Sequence, residues 1–245
     1  MINKNVFRLE PSDFANFVFC GLKWLLEKTN KYSSGSKTAK RRHIRKGIAN
    51  EDKCIDFISE QLHSTSEQIL YVGINKSQAL STPVIIEPLR ITMQAKPDLI
   101  VNYKNRTRLF EFKALGNPKY LYRKEFDADH AQIWCYTYLT DFQIDDYYLF
   151  RYFIDPFYKV HIEGFARSVK TYDNKKLRDE LSDTKFLNLF HVYVKMNDAL
   201  KEMNRNNTKQ LIEKLKDFSP KYKTDKRCSS CIHKVFNRCP LHVQI

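Results

Sequence analysis

The sequence predicts an α/β fold built as one domain over residues 1–245. Two observations support this prediction. Stretches with helical periodicity and runs rich in β-branched and aromatic residues follow one another in the order helix, strands, helix, strands, helices. The chain has 245 residues, of which 42% are hydrophobic, and this composition is enough to bury one core with a smaller lobe attached.

The first half of the chain begins with predicted helices. A first helix has Ser12 as its N-cap, and Cys20 lies on it. A stretch rich in Ser, Lys and Gly, 31–40, forms one soft linker, and a second helix runs from about 41 to 62. Short β-rich runs then predict a small sheet, with strands at 69–72, 84–87, 98–103 and 108–113.

The second half of the chain returns to helices. The predicted elements are a helix at 120–139, strands at 146–153 and 158–165, helices within 174–218, and a cysteine-bearing tail at 219–245. The late helices are rich in Lys and Asn and carry no evident motif.

Charge and the absence of apolar segments limit the classes of partner. The chain has 42 Lys and Arg against 28 Asp and Glu, a formal net charge of +14, which favours a polyanion such as a nucleic acid. Residues 1–10 lack the apolar run of a secretory signal, and no uninterrupted apolar stretch of roughly 18 residues could span a membrane. We therefore expect a cytoplasmic protein with no membrane partner.

Acidic and basic residues in two predicted strands indicate a metal-dependent site. Glu111 and Lys113 alternate with Phe112 and so point to one face of a strand, where Asp98 of a neighbouring strand can meet them. The two carboxylates and the Phe112 carbonyl form a hard-oxygen donor set that suits Mg²⁺ or Mn²⁺. With Lys113 supplying positive charge or positioning a water, this pattern predicts phosphodiester hydrolysis. Because such residues are usually solvated, we expect that replacing Glu111 or Lys113 leaves the fold intact.

Two further polar residues lie on the helix that follows these strands. Gln132 and Tyr136 are four residues apart and therefore share one helix face. We expect both to hydrogen-bond to substrate or to groups of the site. The alternative interpretation is an exposed Gln beside a core aromatic residue.

Cysteine spacing predicts a metal centre that joins the two ends of the chain. Six cysteines without a secretory signal are more consistent with free thiols or metal ligands than with disulfides. The expected ligands are Cys20, Cys228, Cys231 and Cys239. Cys54 and Cys135 lie within predicted helices, and we expect them to be buried as small hydrophobic residues.

The order Asp98, Glu111-x-Lys113, Gln132-xxx-Tyr136 resembles the RecB-like branch of the PD-(D/E)XK nucleases. That resemblance implies a restriction-endonuclease-like core. The branch also carries a helical motif of Gly followed four residues later by His or Glu, which Gly47 and Glu51 match in the Glu form. By resemblance, Glu51 is a further metal ligand or water-orienting group.

One upstream cysteine and three downstream ones around such a core are similar to the iron-sulfur nucleases that include the CRISPR-associated Cas-four family. The resemblance implies a [4Fe-4S] cluster, exonuclease activity on single-stranded DNA with 5′ to 3′ polarity, and a part in CRISPR spacer acquisition alongside adaptation proteins. Zinc bound by the same four thiolates is the alternative cofactor. The implied organisation is a helical cluster lobe from 1–30 and 219–245, a catalytic core over 41–165, and a helical segment at 166–218.

A basic run precedes Glu51 and is expected to follow the DNA backbone toward the metal site. It consists of Lys40, Arg41, Arg42, Arg45 and Lys46. Other functions fit the same residues: a RecB-like nuclease of repair, replication or a mobile element, an RNA-directed nuclease, or a non-catalytic DNA-binding protein with a structural metal cluster. The sequence does not specify an oligomeric state.

Overall fold

The computed structural model of the protein describes residues 7–29, 52–60, 68–73, 78–115, 127–154, 160–168, 174–202 and 210. Within these ranges the chain forms a mixed α/β fold with two sheets and six helices. The strands are β1 (Phe7–Leu9), β2 (Ile69–Val72), β3 (Leu80–Ile86), β4 (Leu89–Ala95), β5 (Leu99–Tyr103), β6 (Arg106–Ala114), β7 (Asp146–Ile154) and β8 (Val160–Ser168). The helices are α1 (Pro11–Phe19), α2 (Gly21–Lys28), α3 (52–60), α4 (Asp127–Tyr136), α5 (Asn174–Glu180) and α6 (Asp183–Glu202).

The larger sheet has five strands in the order β2-β5-β6-β7-β8. Strands β5 and β6 form an antiparallel hairpin whose turn residues, Lys104 and Asn105, have φ values of 52° and 56°, as a tight hairpin turn requires. Strands β6 and β7 are parallel, so the chain must cross over between them. Helix α4 lies in that crossover and packs against the sheet.

The smaller sheet has three strands in the order β1-β4-β3. Strand β1 is parallel to β4, and β3 and β4 form an antiparallel hairpin. Along β4 the residues alternate: Ile91 and Met93 are buried, while Thr92 and Gln94 lie on the opposite, partly exposed face. This period of two is what a sheet with one buried face requires.

The larger sheet separates two hydrophobic cores. On one face, Leu109 and Leu149 pack with helices α1, α2, α4 and α6. On the other face, Phe110 and Phe112 pack against α3 and the neighbouring aromatic residues of β7. Because side chains alternate along β6, Glu111 and Lys113 point to the face that carries α4.

The predicted α/β class is confirmed, and several element boundaries are corrected. Strands β1 and β4 were not predicted, β1 because it has only three residues. The predicted strand at 84–87 begins earlier, at Leu80, because Pro83 is tolerated on the edge strand β3, which pairs only with β4. The prediction that Cys54 and Cys135 are buried is confirmed, since both are 0% exposed.

The prediction that Cys20 lies within one N-terminal helix is wrong. Cys20 has extended backbone angles, φ −164° and ψ 101°, and separates α1 from α2. Its Sγ accepts a hydrogen bond from the Lys23 amide at 3.4 Å, so it caps the N-terminus of α2. The N-cap of α1 is Glu10 rather than Ser12, because Pro11 occupies the first helical position. None of the described helices has the length and apolar character needed to cross a bilayer.

Candidate functional site

Five polar side chains meet where the central strand β6 faces helix α4. They are Asp98, Glu111, Lys113, Gln132 and Tyr136. The sequence predicted that these residues would lie together, and in the structure they do. Their catalytic roles stay a prediction.

Glu111 is at the centre of this group. Its side chain is buried, with the residue only 3% exposed, so the expectation of a solvated carboxylate is wrong. Lys113 Nζ lies 2.6 Å from Glu111 Oε1. An unpaired buried carboxylate is costly, and charge-assisted hydrogen bonds offset that cost. The contact with Lys113 therefore explains how Glu111 is accommodated beneath α4.

Helix α4 contributes two hydrogen-bond donors to Glu111. Gln132 Nε2 donates to Glu111 Oε1 at 2.6 Å, and the Tyr136 hydroxyl donates to Glu111 Oε2 at 2.8 Å. Gln132 also donates to the Tyr136 oxygen at 2.8 Å and accepts from Lys113 Nζ at 2.6 Å. The alternative of an exposed glutamine is wrong, since Gln132 is 5% exposed. The network fixes both oxygens of one carboxylate from two directions.

Asp98 lies immediately before β5, beside Glu111. Its Oδ2 accepts a hydrogen bond from the Phe112 amide at 2.6 Å. Strands β5 and β6 are antiparallel, and Leu99 pairs with Phe110. One residue further along this register, Asp98 lies opposite Glu111. The charge of Asp98 is close enough to affect the pKa of Lys113. Both carboxylates therefore belong to one electrostatic environment.

A close backbone contact positions Asp98. The Gly73 amide donates to the Asp98 carbonyl at 2.9 Å. A Cβ at Gly73 would lie 2.1 Å from the Pro97 carbonyl oxygen, far inside van der Waals contact. Only glycine lets the chain after β2 approach the Pro97–Asp98 peptide this closely. Sequence reasoning missed Gly73, and the only available signal was a glycine directly after a predicted strand.

The protonation states of Lys113 and Tyr136 follow from their surroundings. Burial disfavours the Lys113 ammonium, but the carboxylates of Glu111 and Asp98 outweigh that effect and raise the pKa of Lys113. Burial, with the same two carboxylates, raises the pKa of Tyr136 well above its ordinary value. Lys113 is thus a cation and Tyr136 a neutral hydroxyl donor at neutral pH.

The donor set fits a hard divalent cation. Asp98 and Glu111 supply carboxylate oxygens, and the carbonyl of Phe112 lies between Glu111 and Lys113 in the same strand. Glu111 Oε2 accepts one hydrogen bond, from Tyr136, and a carboxylate oxygen can accept two. Among the described residues no group of three or more His, Cys, Asp or Glu side chains is arranged so that it could hold a metal ion. A third acidic ligand was expected at Glu51, which lies outside the described residues.

The remaining predicted site residues divide between described and undescribed parts of the chain. Cys20 is partly exposed and caps α2, as stated above. The other predicted ligands and the basic run lie outside the described residues: Cys228, Cys231, Cys239, Lys40, Arg41, Arg42, Arg45 and Lys46.

Sequence reasoning also missed Arg151. Strand β7 pairs Arg151 with Lys113 in parallel register, and Arg151 is 4% exposed. Its neighbours Leu149 and Tyr147 belong to the core on the α4 face, so alternation directs Arg151 to the same face as Lys113. An arginine among the apolar and aromatic residues 147–154 of β7 was the available signal.

Comparison with known proteins adds a structural neighbour. No protein-family model matches the chain, and no curated protein matches it. Among solved structures, the chain is similar to the crystal structure of SSO0001, with 13% sequence identity, a TM-score of 0.49, and coverage of 98% of this chain and 89% of that chain.

Proposed function

We propose that the protein is a metal-dependent deoxyribonuclease, an exonuclease acting on single-stranded DNA, with a RecB-like PD-(D/E)XK core. One observation carries the proposal. A buried glutamate, Glu111, is held by Lys113, Gln132 and Tyr136, with the Asp98 carboxylate beside it. Converging titratable groups whose pKa values are shifted by burial and by one another are typical of catalytic sites.

Each residue has a chemical task in the proposed reaction. Asp98, Glu111 and the Phe112 carbonyl would hold Mg²⁺ or Mn²⁺, which when bound lowers the pKa of a water and offsets the charge of the phosphate. Lys113, kept as a cation, orients the attacking water or balances charge on the phosphate oxygens. Gln132 and Tyr136 fix the orientation of Glu111 and shield it from bulk water, so that its oxygens need no rearrangement during the reaction.

The charge of the chain supports a nucleic-acid substrate, and DNA in particular is proposed from the family resemblance. A net charge of +14 favours binding of a phosphate backbone. The 5′ to 3′ polarity and a partnership with CRISPR adaptation proteins are proposed from family resemblance only. A RecB-like nuclease of repair, replication or a mobile element would use the same site.

A second metal centre belongs to the same proposal. Cys20, with Cys228, Cys231 and Cys239, would hold a [4Fe-4S] cluster that joins the chain ends in a helical lobe. Four thiolates also suit zinc. The partly exposed position of Cys20 between α1 and α2 is compatible with either cofactor.

The test is digestion of end-labelled single-stranded DNA with Mn²⁺, compared with the same reaction in EDTA. We expect wild-type digestion to require the metal, and Lys113→Ala and Glu111→Gln each to lower the rate by at least about a hundredfold. The matched control is Lys185→Ala, which removes one positive charge and the 2.7 Å ion pair with Asp127 on the surface. Undiminished digestion by Lys113→Ala and Glu111→Gln would refute the site.

Two further measurements separate this function from its alternatives. Competition between DNA and RNA of matched sequence shows which polymer is cleaved. Metal-independent binding of DNA, with no digestion by the wild type in Mn²⁺, would instead indicate a non-catalytic DNA-binding protein.

A further inference from the structure

A half-open pocket adjoins the polar cluster on the side of the smaller sheet. Its volume is about 220 Å³, and its lining includes Gln132 and Tyr136 of α4. The opposite wall comes from β4 and the residue after it, with Gln94 and Lys96, and from the start of α1, with Ser12. The pocket therefore shares two residues with the cluster around Glu111 without being part of it.

The wall opposite Gln132 and Tyr136, the outer wall of the pocket, carries polar side chains that have no hydrogen-bond or ion-pair partner within the described part of the protein. Within that part, the side chains of Ser12, Gln94 and Lys96 make no hydrogen bond or ion pair. The inner wall differs, because Gln132 and Tyr136 are both engaged with Glu111. Donors and acceptors on the outer wall are thus available to a ligand, while the inner wall is fixed.

The charge of the lining indicates an uncharged occupant. Lys96 supplies one positive charge and Glu10, which also lines the pocket, supplies one negative charge. A pocket for a phosphate would be expected to carry an excess of positive charge. Amide and hydroxyl groups that both donate and accept hydrogen bonds suit the edge of a nucleobase instead.

The size of the pocket limits the occupant to one unit of a polymer. A volume of about 220 Å³ is below the roughly 300–1,000 Å³ of pockets that enclose whole drug-sized ligands. Tyr136 connects the pocket to the cluster, since its hydroxyl is 2.8 Å from Glu111 and 3.5 Å from the Lys96 carbonyl. A base held in the pocket would therefore lie next to a phosphate at Glu111.

We propose that this pocket binds the base of the nucleotide next to the scissile phosphate, and that Gln94 reads the edge of that base. The inference rests on the proposed nuclease function for the placement of the phosphate. Lys96, at the rim, contacts the backbone without distinguishing bases. Cleavage by this protein would then have a base preference at one position of the substrate.

Binding without metal tests the pocket separately from catalysis. Unlabelled hexamers of oligo-dA, oligo-dC and oligo-dT compete against a fluorescent single-stranded oligonucleotide in EDTA, and anisotropy gives their relative affinities. Glutamine pairs best with adenine and glutamate with the amino group of cytosine. We expect Gln94→Glu to shift the ratio of oligo-dA to oligo-dC affinity toward oligo-dC, on the order of tenfold, and Gln94→Ala to reduce the wild-type differences.

Two control variants lie on the same strand outside the pocket. Thr92→Ala matches Gln94→Ala because Thr92 is on the same face of β4, and we expect it to keep the wild-type affinity ratios. Lys96→Ala should weaken all three hexamers to a similar extent, whereas Arg90→Ala removes an equal charge from the far end of β4 and should weaken them less.

The outcomes distinguish failure of the pocket from failure of the nuclease. Unchanged affinity ratios in both Gln94 variants, or no binding of any hexamer by the wild type, would overturn the pocket proposal. If the ratios shift but Mn²⁺-dependent digestion is absent, the pocket binds a nucleotide and the nuclease function is wrong. If digestion occurs with a cleavage pattern that Gln94→Glu does not change, the nuclease stands and the pocket proposal fails.

Discussion

The Tyr136 hydroxyl lies 2.8 Å from Oε2 of Glu111 and thereby links helix α4 to strand β6. Its raised pKa, caused by burial and by the Glu111 and Asp98 carboxylates, keeps it a hydrogen-bond donor through the neutral range. The carboxylate and the phenol therefore support each other: Glu111 satisfies a buried hydroxyl, and Tyr136 orients a buried carboxylate.

Tyr136→Phe removes this donor and keeps the ring. A hydrogen bond to a charged group contributes about 1.5–3 kcal/mol, so we expect kcat/KM for single-stranded DNA to fall roughly tenfold to a hundredfold. The control is Tyr138→Phe, because Tyr138 lies two residues further along the chain and packs on Trp134 rather than on Glu111. Equal rates for Tyr136→Phe and wild type would show that Glu111 does not need this contact.

Gly73→Ala should disturb Asp98 through the backbone. The new Cβ would lie 2.1 Å from the Pro97 oxygen, so the chain must shift, at a cost of about 1–3 kcal/mol in unfolding free energy. We expect the Mn²⁺ concentration for half-maximal digestion to rise as Asp98 moves. Ile69→Val, a change on the strand that ends just before Gly73 and that costs about 0.5–1.5 kcal/mol, should leave the Mn²⁺ requirement unchanged. A variant at Gly73 that loses stability but keeps the wild-type Mn²⁺ requirement contradicts this role.

The protonation of Lys113 predicts a pH dependence of stability at alkaline pH. Its pKa is raised in the folded protein because the carboxylates of Glu111 and Asp98 outweigh the effect of burial. A raised pKa means that the ammonium contributes stability below the unfolded pKa, about 10.4, and that this contribution is lost as pH rises through the folded pKa.

The corresponding measurement compares urea unfolding of wild type and Lys113→Met from pH 6 to pH 11. We expect the difference in unfolding free energy to be constant up to about pH 9 and to change only in the alkaline range above it. A change in that difference between pH 7 and pH 8.5 would mean that the pKa of Lys113 is lowered. Lys113 would then act as a proton acceptor rather than as a fixed cation.

Cys20→Ser separates metal ligation from helix capping. Serine is a good N-cap and can replace the 3.4 Å contact of Cys20 Sγ with the Lys23 amide, but a hydroxyl is a poor ligand for iron or zinc. We expect Cys20→Ser to lose the visible absorption and bound iron of anaerobically purified protein while keeping α2. Cys54→Ser, at a buried position outside the expected ligand set, should keep both. Full iron content in Cys20→Ser would show that Cys20 is not a ligand of the cluster. Colourless wild-type protein with bound zinc would indicate that the four thiolates hold zinc.

Strand and helix periodicity were enough to predict that Glu111 and Lys113 share one face of a strand and that Gln132 and Tyr136 share one face of a helix. The contacts between these two pairs were expected from the resemblance to the RecB-like motif order. The burial of Glu111 and Gln132 was not predictable, because it depends on how α4 packs over the sheet.

Gly73 and Arg151 lie near the site because of the order of the strands in the larger sheet. The local sequence pattern does not determine that order. Gly73 reaches Asp98 because β2 pairs with β5, and Arg151 reaches the Lys113 side because β7 is parallel to β6. Similarly, the backbone is extended at Cys20 and separates α1 from α2, whereas the apolar spacing fits one continuous helix. The strand contacts of Gly73 and Arg151 therefore depend on tertiary arrangement and could not be predicted from local pattern alone.

The five polar groups of the site fall within one part of the chain, residues 98–136: Asp98 directly precedes β5, and the other four lie on β6 and α4. Contacts between residues close in sequence require only short loops to close, so they cost less chain entropy and form faster than distant contacts. We expect this cluster to be among the first tertiary contacts formed on refolding. Cys20 and the C-terminal cysteines, by contrast, are separated by most of the chain. A newly synthesised molecule would thus assemble the polar cluster around Glu111 before the distant cysteine segments of the chain are all available.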